Sequence, residues 1–316
     1  MSFSAGIDLG GTFTKLALVD SAGRVLDQQK TPSLTGYSAE EVLSSVRAKL
    51  EEMCKKTSLP YPPPLGCGIG VPGVVDYRSG EVKFGGAFKW SHVPLRLIAE
   101  KIFECSTAVD TDVNAGLLAD LYFGHARDSS EMLYLSWGTG IGAGFTVNRN
   151  VYHSRGGAMG NLGHCLANSG SERKCFCGLC GCLEVEIGAA ALVDKMQRKI
   201  TEGAKTGISG DTELTSQRIA QAAESGDPVA YEVLGEAAGM LARALAAPLS
   251  LLNPDTVILA GGVSRCLPIV RDVFDRELAR NTPAFSLANT AIFPTAFEES
   301  AGVIGAATLA AVERKR

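Results

Sequence analysis

A short apolar run, a turn of glycine and threonine, and a second apolar run occur in that order twice in this chain, near positions 8 and 138. Phe3–Asp8 leads into Leu9-Gly10-Gly11-Thr12 and then Phe13–Val19. Met132–Ser136 leads into Gly138-Thr139-Gly140-Ile141-Gly142 and then Ala143–Asn148. Apolar runs this short, bounded by Gly or Asp, read as strands, and tight turns between them make antiparallel pairs. A repeated unit of this kind predicts a duplicated fold. Ser21-Ala22-Gly23 adds a further strand, Val25–Lys30, to the first copy.

The segments between the copies are helical or strand-like in alternation. Ala39–Lys56 carries Val42, Val46, Leu50 and Met53 at helical spacing. Pro60–Pro64 breaks the chain before a buried-looking strand, Leu65–Val71. Leu97–Phe103 reads as a helix, Ser106–Asp110 as a strand and Ala115–Tyr122 as the start of another helix. Further helical patterns fall at Gly188–Thr201, Ser216–Ala223 and Pro228–Leu252. The strand Thr256–Leu259 then meets Gly261-Gly262, and Ala301–Val312 closes as a helix. Thr201–Glu213 is the most loop-like interior stretch. Strands alternating with helices predict a mixed α/β architecture, and 316 residues allow two domains of ordinary size.

Thirty basic residues against 34 acidic ones leave a net charge of −4, so no basic footprint points to nucleic acid or an anionic membrane. The apolar stretches fall short of the roughly 20 residues that span a bilayer. Met1–Ile7 has neither the basic residue nor the apolar core of a secretory signal, so a soluble cytoplasmic protein is expected. Nine cysteines, an odd number, argue against a secreted disulfide framework.

Four of those cysteines, Cys175, Cys177, Cys180 and Cys182, lie within one short stretch that follows His164 and Cys165. Zinc takes four soft or borderline ligands in a tetrahedron, and Gly178 and Gly181 permit the tight turns that fold thiolates around one ion. Five sulfurs exceed the need, so spacing alone does not select four. Around Asp8-Leu9-Gly10-Gly11-Thr12, adjacent glycines let backbone N–H groups approach a phosphate, and an acidic residue at the strand end is placed to hold its Mg²⁺. The turn at Gly138–Gly142 offers a second grip, and Gly261-Gly262 a flat surface for adenine. Asp112, after a strand and before a helix, is a candidate proton acceptor, although Asp110, Thr111 or Asp112 could equally cap that helix. Glu184 is ambiguous in the same way. Gly68-Ile69-Gly70-Val71-Pro72-Gly73 fits the dinucleotide fingerprint, but Pro72 sits where that motif needs a helix, so no nicotinamide role is read from it.

Together these segments resemble the ROK family (repressors, open reading frames, kinases) of the actin/hexokinase ATPase superfamily. The matching pieces are Asp8–Thr12, Gly68–Gly73, Thr111-Asp112-Val113-Asn114, Gly138–Gly142, Gly163-His164 and Cys175–Glu184. The resemblance implies an actin-like, duplicated ribonuclease H-like fold with two lobes and a cleft. The expected lobes are residues 1–113 with about 300–316, and residues 114–299 with the zinc element and the ATP motifs. It also implies ATP-dependent phosphorylation of a hexose or hexose derivative, usually at the 6-hydroxyl, with Asp112 as general base. By the same resemblance Asp8 positions Mg²⁺, Gly10, Gly11, Thr12, Gly138 and Thr139 hold phosphates, and Gly261 and Gly262 flank the adenosine. Gly73, Thr111, Asn161, His164 and Glu184 face the sugar. The zinc ligands it implies are His164, Cys175, Cys177 and Cys182, with zinc shaping the sugar pocket and doing no chemistry. ATP and a hexose-type sugar are then the ligands, nucleic acid and membrane are not, and a homodimer or homotetramer is expected.

Three positions depart from the family pattern, all on the sugar side. Thr111 stands where Asn is common, Asn161 where Glu is common, and Phe84–Trp90 lacks the expected Asn, with Gly86-Ala87 in its place. An amide donates as well as accepts, so the set of sugars that leave no group unpaired should change. A catalytically weak sugar sensor is the alternative on the same scaffold. A repressor is not expected, because Asp8 comes so early that no DNA-binding segment precedes it.

Overall fold

The computed structural model describes residues 2–208 and 213–313. Met1, residues 209–212 of the expected loop Thr201–Glu213, and residues 314–316 of the expected C-terminal segment lie outside the described residues. The chain has a mixed α/β fold that divides into two compact units. One comprises residues 1–129, 144–159 and 295–316, the other residues 130–143 and 160–294.

The first unit begins with an antiparallel meander of β1 (Phe3–Leu9), β2 (Phe13–Asp20) and β3 (Val25–Pro32), in which Asp8 faces Lys15 across the pair. Helix α1 (Ala39–Thr57) starts at a capping box. Ser38 Oγ accepts from Glu41 N–H at 3.2 Å, and the Glu41 carboxylate accepts from Ser38 N–H at 2.9 Å. Its buried stripe includes Val42, Val46, Leu50 and Met53, at the spacing read from sequence. Strand β4 (Cys67–Val71) lies parallel to β1. A small meander of β5 (Val74–Asp76), β6 (Glu81–Gly85) and β7 (Trp90–Val93) follows. Strands β6 and β7 have no counterpart in the sequence reading, because segments this short carry too little alternation to register. Helix α2 (Leu95–Phe103), strand β8 (Thr107–Thr111) and helix α3 (Asp112–Phe123) complete this stretch. The sheet order is β3-β2-β1-β4-β8, so β1, β4 and β8 run parallel and end on the same side.

The second unit opens with β9 (Met132–Trp137) and β10 (Ile141–Val147), the latter running into first-unit residues and pairing with β11 (Asn150–Val151). After them come α4 (Leu183–Ile187), α5 (Ala189–Thr201), α6 (Ser216–Glu224), α7 (Pro228–Leu252) and β12 (Thr256–Ala260). Helices α8 (Arg271–Asn281) and α9 (Ala284–Leu287) and strand β13 (Ala291–Pro294) finish it. The sheet order is β11-β10-β9-β12-β13, with β9, β12 and β13 parallel. Two sequence readings change here. The glycine turn is 138–140, because Ile141 and Gly142 already belong to β10. The helix expected over Gly188–Thr201 begins at Ala189, with Gly188 extended between α4 and α5.

Helix α10 (Ala301–Glu313) belongs to the first unit. It is apolar nearly all round because it is buried nearly all round. Glycines let it approach: a Cβ on Gly6 would strike the Val303 carbonyl, one on Gly68 the Ala306 carbonyl, and one on Gly305 the Ala115 carbonyl. The glycine run from Gly68 therefore serves helix packing. The contact between Gly305 and Ala115 also draws α3 into the first unit. That unit accordingly continues past residue 113, where the sequence reading had ended it, through 129 and again over 144–159. Among the described residues no helix is long and apolar enough to cross a membrane.

Candidate active site

In the first unit, β1 ends in a turn tight enough that Gly10 N–H reaches Phe13 O at 3.1 Å, and a Cβ on Gly10 would stand 2.6 Å from that oxygen. Gly11 and Thr12 are exposed at its tip. Ser33 braces the turn from the end of β3: its hydroxyl donates to Gly10 O at 2.6 Å and its N–H to Thr12 O at 3.0 Å. Asp8 is half-buried, and Gly302 at the start of α10 leaves room for its carboxylate, since a Cβ there would lie 2.5 Å from Oδ2. Burial pushes the Asp8 carboxyl up to about 7, the charge of Asp112 adds to the rise, and Lys15 opposes it.

Asp112 is the first residue of α3 and is also half-buried. Thr111 is the cap, its Oγ1 accepting from Asn114 N–H at 3.2 Å, which starts the helix ahead of the expected Ala115. The capping role is thus filled without Asp112, whose Oδ1 accepts from Val113 N–H at 2.9 Å. Burial raises the Asp112 carboxyl above its ordinary range, this backbone hydrogen bond opposes the rise, and the charge of Asp110 adds to it. The turn from β8 into α3 packs on β4, where a Cβ on Gly70 would lie 3.2 Å from Asp112 Cα. Gly73 is exposed with φ +131°, and a Cβ there would strike the Phe84 carbonyl. Ala87, in the departing Phe84–Trp90 stretch, stands beside Gly11: a Cβ on Gly11 would be 3.4 Å from its own. Trp90 stacks on Phe88 with centroids 4.6 Å apart and donates from Nε1 to Tyr37 O at 3.0 Å.

In the second unit the two remaining glycine turns lie side by side at the ends of β9 and β12. A Cβ on Gly138 would stand 3.7 Å from Gly262 N, and Val263 N–H donates to Trp137 O at 3.0 Å. Gly261 has φ +94° and no room for a Cβ against the Trp137 carbonyl. Thr139, Gly140 and Gly262 are exposed. Glu184, at the start of α4, accepts from Ile141 N–H at 2.9 Å through Oε2, and Ala189 N–H at the start of α5 donates to Gly138 O at 3.0 Å. Glu184 therefore braces the Gly138–Gly140 turn, a role its sequence position did not reveal. Asn161 is exposed just before the 3₁₀ turn Leu162–His164.

That turn and the cysteine loop converge. His164, Cys175, Cys177 and Cys182 place one ligand atom each within 4.8 Å of all the others, while Cys165 and Cys180 are exposed and outside the group. Cys177 and Cys182 sulfurs are 3.6 Å apart, and Cys175 Sγ is 3.4 Å from His164 Nδ1. A tetrahedral zinc bonded at about 2.3 Å to sulfur and 2.0–2.1 Å to nitrogen sets these edges at about 3.5–3.8 Å. The donor set fits that ion. Burial, then the neighbouring thiols of Cys177 and Cys175, push Cys182 up to about 12, so thiols this crowded need a cation before all of them ionise.

The ROK family description matches residues 4–313, and the chain belongs to the ROK family. It is 32% identical to a xylose repressor of Caldicellulosiruptor bescii over 82% of its own length, and spans 65% of the length of that protein. It is 29% identical to a glucokinase of Thermotoga maritima over 96% of each chain. The solved structure of a ROK family glucokinase from Streptomyces griseus, in complex with glucose and AMPPNP, is similar with a TM-score of 0.82 and 27% identity, over 98% of this chain and 99% of that one. The fold is the actin-like ATPase fold that the motifs led one to expect. Kinases and repressors both stand among the relatives, so the choice between them falls to the chemistry of the site.

Proposed function

We propose that this protein is an ATP-dependent kinase of a hexose or hexose derivative. The observation that carries this reading is Asp112. It is a half-buried carboxylate at a strand end, relieved of capping by Thr111, and near enough to Asp8 for its charge to help raise the Asp8 carboxyl. A repressor or sensor needs to bind a sugar but has no use for a carboxylate held ready to take a proton.

In the proposed reaction the oxygen of a sugar hydroxyl, that on carbon 6 in our reading, attacks the γ-phosphorus. Asp112 accepts the hydroxyl proton as the new O–P bond forms, and the bond to the ADP oxygen breaks. Asp8 would hold Mg²⁺, which when bound neutralises charge on the phosphates. Backbone N–H groups of the turns at Gly10–Thr12 and Gly138–Thr139 hold the phosphates, and Gly261-Gly262 flank the adenosine. Gly73, Thr111, Asn161, His164 and Glu184 line the sugar. His164, Cys175, Cys177 and Cys182 would hold a structural zinc that orients the sugar-binding loop, and with four protein ligands such an ion would keep no open position for activating water. A thiolate site of this kind suits a reducing cytoplasm, and we take the working form to be a homodimer or homotetramer.

A sugar-responsive regulator is the second reading, favoured by the xylose repressor relative and by the departures at Thr111, Asn161 and Gly86-Ala87. Phosphorylation assays over hexoses, amino sugars and N-acetyl sugars, with ATP and with polyphosphate, separate the two. Saturable transfer to one sugar class supports the kinase, whereas sugar binding without transfer supports the regulator.

A further inference from the structure

A histidine distant in sequence from every motif completes the surroundings of Asp112. Asp110 is 2% exposed, and a carboxylate buried to that degree is costly unless each oxygen is partnered. Its Oδ1 accepts from Thr111 N–H at 2.7 Å and from Asn114 Nδ2 at 2.9 Å. Its Oδ2 accepts from His153 Nε2 at 2.6 Å. The His153 ring is in turn stacked on Tyr77, centroids 3.7 Å apart and planes 17° from parallel. All these residues belong to the first unit.

The bonds made by Asp110 enclose the turn on both sides of Asp112. Thr111 precedes it, Asn114 lies in the same helical turn, and Asp110 ties the two together. With only Oδ1 engaged, the Asp110 carboxylate could rotate about its side-chain bonds; the bond from His153 to Oδ2 fixes the rotation. The stacked Tyr77 fixes His153. We propose that His153 is a positioning residue for phosphoryl transfer, holding Asp110 and through it the aim of the Asp112 carboxylate. This rests on the reading of Asp112 as general base. A misplacement of a reacting group by about 1 Å costs on the order of 10²-fold in rate, so a remote hydrogen bond of this kind is worth a measurable share of kcat.

His153→Ala removes the donor. His153→Gln carries an amide N–H to nearly the position of Nε2, and the ring borders a cavity of about 80 Å³ that tolerates the change in shape. The wild type, both variants and Asp112→Asn are compared for kcat, for KM of ATP and of sugar, and for melting temperature. The expected result is that H153A loses about 10–100-fold in kcat with both KM values within about twofold, and that H153Q recovers most of the loss. His153→Asn, polar but too short to reach Oδ2, carries the same expectation if H153A does not fold. A kcat for H153A within twofold of wild type overturns the inference, as does a Gln variant no better than Ala or an effect confined to melting temperature. Wild-type turnover by D112N overturns the kinase reading and this inference with it. An inactive D112N beside an unimpaired H153A overturns the inference alone.

Discussion

The two copies of the strand–turn–strand unit have diverged in what stands around them. Beside the turn at Gly10–Thr12 are two carboxylates, Asp8 and Asp112, both pushed upward by burial. The turn at Gly138–Gly140 is braced instead by Glu184, whose Oε2 accepts from the Ile141 N–H, and by the N-terminus of α5. The same backbone device thus serves two ends. In the first copy charge is stored at some cost to stability, and in the second the turn is made rigid. The difference teaches that reactivity in this fold comes from what a strand end is given to carry, since the glycine turn itself is common to both.

The sharpest way to break this contrast is to remove reactivity from the first copy. Asp112→Asn should lower kcat by about 10²–10⁴-fold while calorimetric sugar binding persists. A comparable loss from Glu184→Gln, with D112N active, would reverse the roles of the two copies. Next in size is the metal. Cys177→Ser or strong chelation should remove about one zinc per chain and raise the KM for sugar by about 10-fold or more, leaving the KM for ATP nearly unchanged; elemental analysis and kinetics check this together. Gly261→Ala should be smaller. It forces a side chain against the Trp137 carbonyl at a left-handed position, costing about 1–3 kcal/mol of stability and weakening ATP binding more than sugar binding, as thermal melts and titrations would read.

The smallest effect expected is on the ligand-free protein and concerns pH. A carboxyl whose folded pKa stands above its unfolded value holds more protons folded than unfolded, so stability falls as pH rises. For Asp8 the window runs from its ordinary 3.8 to about 7. Asp8→Asn should therefore stabilise the ligand-free chain above pH 7 by roughly 1–3 kcal/mol, with a flatter melting temperature across that window. A destabilised D8N at pH 8 would remove the cost assigned to the first copy.

Much of this contrast was legible in the sequence because its parts are local. Glycine turns and a dense cysteine cluster declare themselves within a few residues, and the structure gathers His164, Cys175, Cys177 and Cys182 while leaving Cys165 and Cys180 aside. Local competition was harder to read. Whether Asp110, Thr111 or Asp112 caps α3 depends on side-chain geometry, and Thr111 does so. Ser33, His153 and the bracing role of Glu184 were not legible, because each meets its partner only after the chain has folded back through distant strands. Strands β6 and β7 escaped notice for a different reason: they are too short for alternation to show.

One measurement bears most directly on the central claim: mass-spectrometric detection of phosphorylated sugar across the hexose panel with ATP, in parallel for the wild type and D112N. The account predicts product from at least one sugar with the wild type and almost none with the variant. Sugar binding without product from any member of the panel, or equal product from both proteins, would contradict it.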